Sequence, residues 1–317
     1  MRENSVRMIQ IDQGDFFLQD MDCFLFSFSR EERCLKVLNL LHRENIKIKK
    51  LILIWYEKYD GVTISDQLQS ELQTCADSLQ IIKCNMSNEG QDGVELSRTG
   101  IGKNDQVGFD ITGFAIPDVF RILYVLNRIM GIDSINVFYT EPKYYCYQNG
   151  LFTTYTKNAG KCSYKVIEEY NNSGSGKKEI LICFLGFDRN ISKYVYDEVL
   201  PYEIVVVNGF PSYLPKLKDI SLVNNYELIT TVGRDKIISS RANSPYAAYN
   251  CLKNVAKRYD EELMNICVLG TKPMALGAAL YALRNLRKVK ISFPFPEKYR
   301  SDSSAETGES WCYQINI

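Results

Sequence analysis

Asp22-Cys-Phe-Leu-Phe-Ser-Phe-Ser29 and Glu179-Ile-Leu-Ile-Cys-Phe-Leu185 are the two stretches on which the fold turns. Each is an apolar run of strand length, and each leads through polar or glycine residues into a helical pattern. After the first, Leu35, Leu38, Leu40 and Leu41 recur at helical spacing between Arg30 and Arg43. After the second, Gly186-Phe-Asp-Arg-Asn190 opens a helix that reaches about Val199. Leu51-Ile-Leu-Ile-Trp-Tyr56 and Ile204-Val-Val-Val207 then read as second strands, apolar without interruption because such strands are buried on both faces.

Working outward, the first half continues with a helix over 62–79, a strand over 80–84 and a long polar loop from Met86 to Gln106. Val107-Gly-Phe-Asp-Ile-Thr112 ends a strand, a helix runs from about Pro117 to Met130, and Ile135–Tyr139 is a strand followed by the loop Thr140–Tyr145. In the second half, Pro211–Lys218 is a loop and Asp219–Leu228 a helix. Ser244 and Pro245 then supply an N-cap and an N1 proline for a helix to about Leu263. Ile266–Leu269 is a strand, Gly270–Pro273 a turn and Met274–Leu286 a helix, whose Gly277 and alanines let it lie close to the sheet. Val289–Phe293 is a further strand, and Gly308–Ile317 reads as a final edge strand in which Trp311 is an anchor.

Ser27 and Thr112 stand as far apart in the chain as Gly186 and Thr271, and at that one offset Phe28 matches Phe187 and Arg30 matches Arg189. Order and spacing agree, which predicts an internal pseudo-duplication. The expected architecture is α/β, two Rossmann-like halves with mainly parallel sheets: residues 1–170, a linker at 171–178 and residues 179–317.

The formal net charge is zero, from 38 basic and 38 acidic residues, so nothing global drives the chain to duplex DNA or to an anionic membrane. The mixed-charge start reads as neither signal nor transit peptide, and no apolar run spans a bilayer, so a cytoplasmic location is expected. Ten cysteines without a C-x-x-C pair, several inside strand-like runs, read as reduced core thiols. With His42 the only histidine, a Ser-His-Asp triad has a single possible base and a multi-histidine metal site cannot be built; no metal or cofactor is expected.

In open parallel sheets ligands bind beyond the carboxyl ends of the strands. That rule selects Ser27, Ser29 and Arg30; Asp110, Thr112 and Gly113; Gly186 and Arg189; and Gly270, Thr271 and Lys272. Leu269-Gly-Thr-Lys-Pro-Met274 is the best single element. Glycine lets backbone approach a ligand, a helix N-terminus offers N–H groups, and Thr271 and Lys272 add a hydroxyl and a cation suited to phosphate. A Walker A pattern is absent.

Strand–Gly270-Thr271-Lys272–helix resembles the second signature of CARF domains, the CRISPR-associated Rossmann folds that sense cyclic oligoadenylates, and Ser27 and Ser29 echo the first. The resemblance implies nucleotide or cyclic-oligonucleotide sensing in prokaryotic defence, with ligand held between two such halves. The first half departs from the pattern, having Asp110-Ile-Thr-Gly113 where a second Gly-Thr-Lys would stand.

Two other readings remain open. Carboxylates at strand ends or helix starts (Asp110, Glu31, Glu32, Asp188, Glu141) could serve an enzyme of hydrolase or ring-nuclease type acting on nucleotides or phosphorylated metabolites, with Asp110 and Lys272 the catalytic candidates. Alternatively the chain is a scaffold subunit, paired with a protein partner or with itself. Tyr139, Tyr144, Tyr145 and Tyr299 follow strands and suit either base stacking or packing.

Overall fold

A computed structural model describes residues 7–12, 18–29, 31–56, 64–84, 95–146, 162–172, 176–215, 217–296 and 304–317. The chain divides into two compact units. One comprises Met1–Ala115, Ile122–Cys146 and Ser301–Ile317, the other Ile116–Arg121 and Tyr147–Arg300.

The first unit holds strands β1 (Arg7–Gln10), β2 (Met21–Ser27), β3 (Ile48–Tyr56), β4 (Ser78–Cys84), β5 (Val107–Asp110), β6 (Ser134–Tyr145) and β13 (Ser304–Asn316), with helices α1 (Arg33–Arg43) and α2 (Asp66–Gln73). Helix α3 (Ile116–Tyr124) continues as a π-helical turn over Val125–Ile129. The second unit holds β7 (Cys162–Val166), β8 (Glu179–Phe184), β9 (Glu203–Gly209), β10 (Ile237–Ser240), β11 (Leu263–Val268) and β12 (Val289–Pro296). Its helices are α4 (Ile191–Val199), α5 (Leu217–Asn224), α6 (Tyr226–Val232), α7 (Pro245–Ala256) and α8 (Lys272–Arg284).

The sheets run β1-β13-β6-β5-β2-β3-β4 and β10-β9-β8-β11-β12-β7. Taken in chain order, five parallel strands of each follow the same third-second-first-fourth-fifth sequence, and an antiparallel strand joins the fifth. The pairing registers agree too. Leu25 faces Phe109 as Phe184 faces Val268, the same offset that matches Thr112 with Thr271. The molecule is an α/β protein of two Rossmann-like halves with mainly parallel sheets, each half repeating the topology of the other.

The sixth strands are exchanged. β7 follows β6 in the chain but pairs with β12, and β13 follows β12 but pairs with β6. Sheet membership therefore differs from a division at 171–178: residues 162–166 join the second sheet and 304–316 the first. The tail is not an edge strand, because β1 covers its other side. The stretches Thr140–Tyr145 and Pro294–Pro296, which lie beyond the strands expected at Ile135–Tyr139 and Val289–Phe293, are strand overhangs paired with β13 and β7. Pro142 and Pro294 fit there because pairing with the parallel neighbours β5 and β11 ends earlier, at Phe138 of β6 and Ile291 of β12, so no ladder bond is lost on that side.

Alternation places Phe24, Phe26, Leu51, Leu53 and Phe138 on one face of the first sheet, against Val37, Leu38 and Leu41 of α1. Leu25, Ile52, Ile54 and Phe109 fill the opposite face. In the second sheet Leu181, Cys183, Ile204, Val206 and Cys267 pack against Ile191 and Val195 of α4 and Leu228 and Ile229 of α6. Each such fully buried aliphatic contributes roughly 1.5–3 kcal/mol.

Several helix limits differ from the sequence pattern. α1 opens at Arg33 with no side-chain cap, and α2 is confined between its cap Ser65 and β4. The helix expected over 219–228 is two helices, broken at Asn225, whose side chain is drawn inward to the Ser221 and Gly186 carbonyls. Ser244 caps α7 as predicted, accepting from Ala247 N at 3.2 Å with Pro245 at N1, but α7 stops at Ala256 and Leu263 begins β11. Gly277 serves the contact with α7 and not with the sheet: a Cβ there would lie 2.1 Å from Pro245 O and 2.8 Å from Ala248 Cβ.

Candidate functional site

In the second unit the chain order reverses between β8 and β11, the switch point at which open α/β sheets hold ligands. The loops leaving these strands touch. A Cβ on Gly186 would stand 2.1 Å from Leu269 O, and one on Gly270 would stand 3.1 Å from Leu185 O and 3.0 Å from Met274 Sδ. Both glycines are there for backbone approach. The Gly186 carbonyl accepts from Asn225 Nδ2 at 2.9 Å and Ser221 Oγ at 3.1 Å, and Phe187 O accepts from Asn224 Nδ2 at 2.7 Å. These three residues hold the loop rigid, and their role is invisible without the fold.

α8 begins directly after this crossing. Thr271 is its N-cap, accepting from Met274 N at 3.4 Å and donating its hydroxyl to Ala242 O. The hydroxyl expected to meet a ligand is thus committed to the fold, tying the β10–α7 loop to α8. Gly270, Thr271 and Lys272 are half-buried, so the turn is reachable from solvent. The first turn of α8 carries Lys272 and no acid; α1, α4 and α7 likewise lack one, while α2, α3, α5 and α6 each have an acidic residue there.

Ser240, at the end of β10, was not anticipated, since its strand has no continuous apolar run. It is 4% exposed, and its Oγ has no hydrogen-bond partner among the described residues. Ser240 is in register with Gly209, and a Cβ on Gly209 would stand 3.5 Å from Met274 Cε. Register partners on parallel strands point to one face, so Ser240 shares the face of Gly209, on which α7 packs against β10. Arg189 is exposed on the β8–α4 connection and makes no hydrogen bond or ion pair among the described residues.

The first unit treats the matching loops differently. A Cβ on Gly113 would lie 2.0 Å from Ser27 O, so the close crossing is repeated. Here, however, Asp110 to Ala115 are all buried. Asp110 Oδ1 accepts from Thr112 N at 2.9 Å, Thr112 Oγ1 accepts from Thr140 N at 2.9 Å, and Thr140 Oγ1 lies 3.1 Å from Ser310 Oγ. Ser27 is 1% exposed and faces away from α1, opposite Phe24 and Phe26; its Oγ has no hydrogen-bond partner among the described residues. Ser29 Oγ accepts from Glu31 N at 3.3 Å and sits 3.2 Å from Cys34 Sγ. Arg30 falls outside the described residues, as does Tyr299.

The carboxylates are also occupied. Glu31 pairs with Arg33 at 2.6 Å and accepts from Ser304 Oγ at 2.6 Å, while Arg33 Nη1 donates to Thr140 O at 3.0 Å. Burial works against the Arg33 charge, but its neighbours together, Glu31 foremost, hold the guanidinium above its ordinary pKa. Glu141 accepts from Trp311 Nε1 at 2.7 Å, so Trp311 anchors its strand. Burial raises the Tyr145 phenol well above its usual value, which suits packing. Among the described residues no group of three His, Cys, Asp or Glu side chains forms a metal site, and no helix is long and apolar enough to cross a membrane. No protein-family model matches the chain, and no curated protein sequence matches it.

Proposed function

We propose that this chain is a nucleotide- or oligonucleotide-binding sensor that holds a phosphate at the Gly270–Lys272 turn. The observation that carries the reading is the half-buried N-terminus of α8, opening at the β8–β11 switch point with Lys272 in its first turn and no acid there. The likeness of Gly270-Thr271-Lys272 to the CARF signature makes prokaryotic defence the biological setting we favour. Within the turn the roles divide. Gly270 permits the approach, Thr271 fixes the helix start, and the ligand meets the Lys272 ammonium and the first-turn amides.

Hydrolysis through Asp110 is the weaker reading, because that side chain is 1% exposed and engaged with the Thr112 amide. The test is thermal unfolding against mononucleotides and cyclic oligoadenylates. A ligand at 100 times its Kd stabilises the native state by about 2.7 kcal/mol. A rise in Tm that disappears in Lys272→Ala supports the proposal; no rise across the panel, or the same rise in the variant, refutes it.

A further inference from the structure

The amino ends of the parallel strands in the second unit carry a basic surface. Leu263 N donates to Lys178 O at 2.9 Å and Met264 N to Lys288 O at 3.0 Å, so the residues before β8 and β12 flank the start of β11. Tyr202 N donates to Glu179 O at 2.8 Å, which brings the start of β9 alongside. Lys288 Nζ pairs with Asp260 Oδ1 at 2.7 Å and ties the stretch after α8 to the stretch after α7. Arg284 stands 5.3 Å above the ring of Tyr249, and Lys253 follows Tyr249 by one turn of α7.

Residues 176–178, 253–262 and 284–288 hold eight cations against three acids, in a chain whose net charge is zero. All eight cations are exposed. Lys253, Lys257 and Arg284 lie in a last helical turn or at its cap, where a cation complements the helix dipole. The other five do not, so that effect does not account for them. Lys257, Arg258 and Arg287 make no ion pair among the described residues. Cations gathered within a Debye length repel one another, and a polyanion relieves that repulsion. Aromatic rings lie among them: Lys178 Nζ is 3.9 Å from the ring centroid of Tyr202, which is 63% exposed.

We propose that this surface binds a single-stranded polynucleotide, with phosphates on Lys257, Arg258 and Arg287 and a base stacked on Tyr202. Cations that follow a backbone and an open aromatic ring are the two elements such binding uses. A flat anionic membrane would press Asp260, Glu261 and Glu262 against like charge, whereas a strand touches only the groups along its track. The surface is separate from the Gly270–Lys272 turn, because Lys272 opens α8 and Arg284 closes it, about 18 Å away along the helix. It does not depend on the nucleotide-binding reading.

The experiment is fluorescence anisotropy of the full chain with labelled oligo(U) and oligo(dT), beside a duplex of equal length and phosphatidylserine vesicles. Either single strand should bind, and four neutralised phosphates would weaken binding roughly fifty-fold between about 50 and 200 mM salt. Arg258→Glu with Arg287→Glu should cost about tenfold or more, and Tyr202→Ala about fivefold. These side chains are exposed, so Tm should hold, and Arg43→Glu in the first unit should leave affinity nearly unchanged. Binding of either oligomer with these losses supports the proposal, and the tighter one names the strand. Equal affinity for the duplex, tighter binding to vesicles, undiminished affinity in the double variant or no binding at all would overturn it. Loss in Lys272→Ala with the double variant unaffected would place the strand at the α8 turn, overturning this surface while favouring the earlier reading.

Discussion

The carbonyl oxygen of Leu269 occupies the space that a side chain on Gly186 would need, 2.1 Å from the position of its Cβ. Real Cβ contacts never approach this closely, and the atom in the way is backbone. Gly186→Ala must therefore part the β8 and β11 loops, at a cost of about 1–3 kcal/mol. Urea unfolding should show a lowered midpoint at unchanged slope, and ligand affinity should fall with it as the α8 turn moves.

Deleting residues 304–317 should unravel the first sheet selectively. β13 lies between β1 and β6, and its Cys312, Tyr313 and Ile315 are buried. Hydrogen exchange should show β1 and β6 amides losing protection while β8, β9 and β11 keep theirs. Retained protection in β6 would mean the strand contributes little.

Glu31→Gln leaves the buried Arg33 guanidinium without its charge partner. Uncompensated buried charges cost about 3–5 kcal/mol, so this variant should be far less stable than Glu32→Gln next to it. Replacing both Arg33 and Glu31 with apolar residues of similar size should recover much of the loss, which a double-mutant cycle would measure.

Acid sensitivity should trace in part to Glu203. The Ile204 amide and, against partial burial, the Lys236 ammonium hold its pKa below its ordinary 4.5. A depressed carboxylate stabilises fully above its unfolded-state pKa and loses that stabilisation as pH falls through the folded-state value. Stability should therefore be level from neutral pH to about 5 and decline below 4.5, and the decline should be shallower in Glu203→Gln.

Thiol reactivity should be low in the native protein. Burial pushes Cys23 and Cys312 up to about 12 and Cys251 to about 11, and raises Cys267 well above its usual value. The thiolate is the reactive form, so labelling at pH 7.5 should be slow at all four and become fast on unfolding.

The repeating strand–helix unit was legible from sequence because β2, β3, β8 and β11 are buried on both faces and so are apolar throughout. β1, β7 and β10 were not, because short edge strands expose one side and need no such run. Pro142 and Pro294 lie beyond the strands the sequence suggests, and only the staggered ends of the neighbouring strands make room for them in a ladder. At the site, sequence located the Gly270–Lys272 turn but could not tell an outward hydroxyl from an inward one. Thr271 donates to Ala242, Thr112 accepts from Thr140, and Ser27 and Ser240, the latter from an unrecognised strand, carry buried hydroxyls with no partner among the described residues.

The exchange of sixth strands also sets the order of events during synthesis. Every strand of the second sheet precedes β13 in the chain, so the first sheet cannot close until the whole second unit has left the ribosome. Until then β6 waits with an open edge, the kind of exposed ladder that invites wrong pairing. The nascent protein is therefore most vulnerable to aggregation while the second unit is being made, and the first-made half is sealed by an element that arrives only after it.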